Sequence, residues 1–186
     1  MGQTGTAASI MRLLSSLRRF LNFLDQRGAT SVEFGIVGAM YMLVLLAAFE
    51  CGYMVFLQAS LDNAARDAAR LIRTGQAQST SDPQAAFQTQ LCSEIGTLIP
   101  CGAMLYQSQT YSNWSQADAG ANASPARDGS GNLVSHGFSI GTADQIVVVQ
   151  VTYNYPFFTP LIGNVLGNGT NSAFLMSTVV FQNEHF

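Results

Sequence analysis

Two glutamates stand where glutamate is expensive. Glu33 opens the one long apolar run of the chain, and Glu50 lies inside it. A carboxylate in apolar surroundings needs hydrogen-bond donors or a positive partner, because an uncompensated charge there costs several kcal/mol. Within membrane segments such groups generally have a task. Glu50 falls in the outer third of the run, where it meets a charge on a partner or reaches the outer interface. Cys51 beside it reads as a small apolar filler.

Other reactive side chains are few. Cys92 and Cys101 flank the end of a short helical pattern. In an oxidising compartment they are expected to form a disulfide, with two free thiols as the alternative. A zinc site is poorly served. It takes about four ligands, and only His136 and His185 could join the cysteines, far apart in sequence. His136 in its Gly/Ser-rich setting reads as a surface histidine. No phosphate loop, nucleophile elbow, zinc-protease motif or convincingly spaced carboxylate pair occurs. The reading is therefore non-enzymatic, with no cofactor and no metal.

The elements that carry these groups follow from composition. Only 10% of the residues are charged, against roughly a quarter in soluble domains. There is no lysine. Arg12, Arg18, Arg19 and Arg27 precede the apolar run, whereas residues 29–186 hold four arginines against ten acids. That balance gives no footprint for nucleic acid. The run itself, Gly35 to Leu57, has 23 residues and one charge, Glu50. As a helix it spans about 34 Å, enough to cross a bilayer core. The arginines on its N-terminal side place the N-terminus in the cytoplasm and the remainder outside. Residues 10–24 form a basic amphipathic pattern suited to an anionic inner leaflet, or simply a charged leader.

After the span the helix is expected to continue to residue 75. Leu57, Leu61, Ala64, Ala65, Ala68, Leu71 and Ile72 make a stripe at the 3.6-residue period. Asp62 and Arg66 can pair four residues apart, Arg70 and Arg73 suit a helix C-terminus, and Gly75 is a natural stop. Asp82 before Pro83 starts a second, short helix that ends before Pro100. Strands are expected at 103–111, 145–157 and 173–182. Ser112 to Asp144 reads as a long polar loop pinned by Trp114 and Phe138, and 158–172 as another loop, near the bilayer surface or a partner. The predicted fold is α+β. A long N-terminal helix, half transmembrane and half amphipathic, packs on a small antiparallel β-sheet with one short extra helix. The expected division is a basic cytoplasmic leader (1–28), the N-terminal helix (29–75, span about 35–57) and an extracytoplasmic body (76–186).

"RGATSVEF" at 27–34, the apolar run after it and "FECGYMVFLQASLDNAARDAARLIRTG" at 49–75 resemble the TadE-like pilus assembly proteins, the minor pseudopilins of tight-adherence (Flp-type) systems. "VVVQVTYNYPFFTPLIG" at 147–163 and "TVVFQNEHF" at 178–186 support the likeness. The resemblance implies cleavage by an aspartic prepilin peptidase between Gly28 and Ala29. Glu33 and Phe34 would then be the fifth and sixth residues of the mature chain, matching the family's glutamate–aromatic pair. It also implies a single-pass protein of the bacterial inner membrane. Its partners would be the prepilin peptidase, other pilins or pseudopilins, the inner-membrane pilus assembly platform and membrane lipid. The competing expectation is an unprocessed, single-span periplasmic binding or scaffold protein.

Overall fold

The computed structural model describes residues 26–129, 133–167 and 171–186. The amphipathic pattern at 10–24 and Arg12, Arg18 and Arg19 lie outside the described residues. By contacts the chain divides into two compact units, Met1–Ala48 and Phe49–Phe186.

One helix, α1 (Gln26–Arg73), runs from the start of the described chain through the whole apolar run. Its most apolar stretch carries Val32, Phe34, Ile36, Val37, Met40 and Val44 exposed. A surface of that size and apolarity does not suit water. The window that qualifies as a membrane span has none of its residues buried, which sets it apart from the core helix of a soluble protein.

In the second unit the same helix changes character. Leu57, Leu61, Ala64, Ala65, Ala68, Ala69 and Ile72 are buried. The expected stripe is thus present, with Ala69 joining it and Leu71 only half-buried. Asp62 accepts from Gln58 Nε2 at 3.2 Å, one turn back, in place of the expected Arg66 partner. Arg70 and Arg73 occupy the last turn. Gly75 then leaves the helix at φ +77°, a left-handed conformation that a Cβ disfavours.

The stripe packs on a three-stranded antiparallel sheet of order β1-β2-β3, formed by β1 (Met104–Tyr111), β2 (Ile146–Pro156) and β3 (Ser172–Gln182). The register pairs Ser108 with Val149, and Val149 with Val179. Side chains alternate between faces. Val147, Val149, Val151 and Tyr155 of β2 therefore look toward α1, and Gln58 Nε2 donates to the Met176 carbonyl at 3.0 Å. Helix α2 (Pro83–Ile95) covers the β1 end of this face, its Phe87 ring 5.7 Å from Tyr106. As expected, Asp82 caps it, accepting from the Ala85 amide at 2.9 Å, and Pro83 takes the first turn. Cys92 of α2 and Cys101 in the following turn form a disulfide, Cα–Cα 5.7 Å.

The opposite face differs from the expectation of a loop. Residues 114–121 form a third helix, α3 (Trp114–Ala121), whose Ala117 packs on Ile146 and Val148. β2 is thus buried on both sides, and its unbroken Val147–Val149 run reflects that. Phe138 does pin the polar tract, with its ring 5.3 Å from Phe87 and 6.1 Å from Tyr106. Trp114 does not; it is 56% exposed at the start of α3. The segment around Phe138 also runs beside β1, Ser108 N–H donating to Gly137 O at 3.1 Å and Ser139 N–H to Ser108 O at 2.9 Å. A fourth helix, α4 (Pro160–Leu166), replaces the second expected loop.

Two stability outcomes follow. Gly75→Ala forces a Cβ into the left-handed region and against the Phe186 ring, so it should cost about 1–2 kcal/mol, read as a lower thermal midpoint. The double substitution Cys92→Ser, Cys101→Ser opens a short loop and should cost about 2–3 kcal/mol, measurable by denaturant titration of the oxidised parent against the variant.

Candidate functional site

The residues singled out in the sequence fall in two places. Gly28, Ala29, Glu33 and Phe34 lie in the first turns of α1, in the first unit. Gly28 is exposed, and a Cβ built on it would meet nothing within 4 Å among the described residues. Packing therefore does not require glycine there. Glu33 and Phe34 are both exposed, Phe34 to 77%. Among the described residues Glu33 has no hydrogen-bond or ion-pair partner. The helix turns about 100° per residue, so Phe34 is the next residue round from Glu33. A carboxylate and an aromatic ring are thereby presented outward at the head of the apolar run.

Glu50 behaves differently. It is only 5% exposed, in the second unit. Its Oε1 accepts from the Phe158 amide and, at 3.2 Å, from the Thr159 amide. These amides precede α4, whose Thr159 cap position makes no side-chain cap bond and whose first residue, Pro160, has no N–H. A helix start leaves its leading amides without backbone partners, and the Glu50 carboxylate accepts from two in this turn. Both expectations for Glu50 placed its partner outside the chain, on another protein's charge or at the interface. The structure instead supplies backbone N–H groups of the same body.

Aromatic rings cluster beside this contact. Tyr53 lies 6.2 Å from Tyr155 and 6.0 Å from Phe158, and Tyr155 lies 5.4 Å from Phe157, centroid to centroid. Burial pushes the Tyr155 phenol up to about 12, with the Glu50 charge as the second cause. Glu50 Oε2 and the Tyr155 hydroxyl are both buried without a hydrogen-bond partner among the described residues. Nothing local in the sequence signals this cluster. Glu50 and Phe158 are 108 residues apart, and only the uncommon "PFFTP" with its flanking prolines marks a turn with spare donors.

Chemistry beyond binding has little to work with. No group of three or more His, Cys, Asp or Glu side chains that could hold a metal converges among the described residues. His136 is exposed, and His185 sits 3.1 Å from Asp144 on the surface. Cys51 is a free, half-buried thiol.

Glu50→Ala should therefore act on stability. Stripping two amides of a buried charged acceptor should cost about 2–3 kcal/mol. Glu50→Gln keeps an acceptor oxygen and should cost distinctly less. Chemical unfolding of both variants in detergent, followed by Tyr53–Tyr155 environment in near-UV circular dichroism, checks the order.

The family model for TadE-like proteins matches residues 28–70. No curated protein matches the chain, and no solved structure does. The matched segment begins at Gly28, takes in Glu33, Phe34 and Glu50, and ends in the buried amphipathic half of α1. The sheet and the shorter helices lie beyond it. Over this N-terminal helix, whose exposed glutamate–phenylalanine pair leads into an apolar surface, the chain matches the TadE-like protein family.

Proposed function

We propose that the protein is a minor pseudopilin of a tight-adherence (Flp-type) pilus assembly system. In this reading a prepilin peptidase cleaves it between Gly28 and Ala29, and it remains in the bacterial inner membrane through α1 with its body on the periplasmic side. The observation that carries the reading is the exposed Glu33–Phe34 pair at the head of an apolar, unburied helix. A helix with that surface is built to be surrounded, and Glu33 needs a partner once it is.

Cleavage would create one. The new α-amino group of Ala29 is positively charged below a pKa of about 8. Glu33 could neutralise the amine of its own chain, or with less steric constraint that of a neighbouring subunit. Pairing removes much of the penalty of placing the carboxylate in lipid. Glycine at 28 also suits a protease that must approach the backbone closely, and the open space around it leaves no packing reason for that residue. The Cys92–Cys101 disulfide agrees with an oxidising compartment for the body. Other pilins or pseudopilins and the inner-membrane assembly platform are the partners this role requires.

One feature favours the plain, uncut anchor: the Gly28–Ala29 bond lies inside α1, and a protease needs extended backbone. Glycine at 28 lowers helix stability there, so local unwinding costs little.

Intact mass and N-terminal sequencing of protein extracted from native membranes separate the two. The pseudopilin reading expects a chain that starts at Ala29 in peptidase-positive cells and at the leader in peptidase-negative ones. Glu33→Ala should leave membrane insertion intact and reduce pilus output. Retention of residues 1–28 in peptidase-positive cells that still make normal pili would sink the reading.

A further inference from the structure

Helix α4 carries an apolar face that the body does not use. Ile162 and Gly163 are buried against the body, while Phe158, Leu161, Val165 and Leu166 are 74%, 56%, 75% and 52% exposed. Leu161 and Val165 are four residues apart on α4 and share its outward face, and Phe158 is exposed in the turn just before it. Isolated exposed apolar residues are ordinary, but a contiguous face is not.

The place of this face is fixed by Glu50. The Glu50 carboxylate holds the Phe158 and Thr159 amides, and the Phe158 ring lies 6.0 Å from that of Tyr53. α4 is thereby tied beside residues 50–53 of α1, within the second unit. Those residues belong to the 35–57 run read as the membrane span, and Phe49, Val55 and Phe56 next to them are exposed as well. The apolar face of α4 continues the apolar surface of the span at the level of its outer third.

Charge decides what can cover it. No charged residue occurs between Asp144 and Glu184, so all of β2, α4 and β3 is electrically neutral. α4 itself offers no charge to a partner recognised by ion pairs or to anionic headgroups, and the guanidinium on β3 is that of Arg127, 4.0 Å over the Phe174 ring. Aromatic rings at the edge of a span and an apolar helix face without charge suit the boundary between headgroups and acyl chains.

We infer that α4 is a membrane-dipping element: its Leu161–Val165 face, with Phe158 in the turn before it, sits in the outer leaflet of the bilayer that α1 spans, at a depth of about 5–10 Å below the headgroups. The body rests on the membrane through it and does not stand off on a stalk. Glu50 then faces protein donors at a depth where water is scarce. This inference rests on the reading of α1 as a membrane span.

The test uses the full chain in phosphatidylcholine vesicles that contain lipids brominated at shallow or deep acyl positions. Trp114, the chain's one tryptophan, is replaced in a Trp114→Phe background. Single probes are then introduced as Val165→Trp, Leu161→Trp and, in the span, Val44→Trp. All three sites are exposed. The expected result is strong quenching of the 165 and 161 probes by shallow bromines, a blue-shifted emission and little quenching by aqueous iodide. The 44 probe should respond to deep bromines. If the 44 probe is quenched by lipid while both α4 probes answer only to iodide, or are shielded from lipid and iodide alike, α4 faces water or protein and the inference is overturned with the span intact. Failure of the 44 probe to sense any lipid overturns the span reading and the inference together.

Discussion

A polar group removed from water must keep hydrogen-bond partners, and in this protein that requirement organises the lower end of the body. Glu50 interrupts an otherwise uncharged apolar helix. Its partners are two backbone amides delivered from the far end of the chain, at the turn into α4. The consequence is mutual. The helix can carry a carboxylate in its apolar run, and the β2–α4 turn gains an acceptor that its own sequence lacks. The buried Tyr155 ring and the Tyr53 and Phe158 rings cluster beside this contact.

Above that junction the architecture is a layered one. The small side chains of Ala64, Ala65, Ala68 and Ala69 bring α1 close to the sheet, and close approach is what allows a helix with few large residues to bury enough surface. The Phe87–Phe138–Tyr106 cluster and the Cys92–Cys101 bridge hold α2 and the polar tract to the β1 end. At the top, Arg73 and Glu184 meet at 3.2 Å, and the Glu184 amide donates to Arg73 O at 2.9 Å, so the chain's final residues close over the end of α1.

How much of this could be read in advance depends on the range of the forces involved. The long helix, its change from apolar to amphipathic, the Asp82–Pro83 start of α2, the Gly75 stop and all three strands announce themselves through periodicity and capping, which are local. α3 and α4 do not. They are short, eight and seven residues, and such helices depend on tertiary packing rather than propensity. A signal for α3 was present: Asn113 accepts from the Gln116 amide at 2.9 Å, and a capping residue followed by Gln three positions on marks a helix start. Trp114 drew attention by size alone, yet its position in the first turn of α3 points it outward. The Glu50 contact was not legible, since pairing across 108 residues leaves no periodic trace. The reading of Glu33 and Phe34, by contrast, comes from sequence register next to the run.

The strip of backbone at Gly137–Ser139 has a consequence for how copies of this protein can associate. It occupies the outer donor and acceptor of β1 at Ser108, and the Ser135 hydroxyl donates to Tyr106 O at 3.0 Å. A sheet border left bare invites strand addition from another chain. Here the middle of that border is already engaged by the molecule's own loop, so strand addition across Ser108 must first peel the loop away.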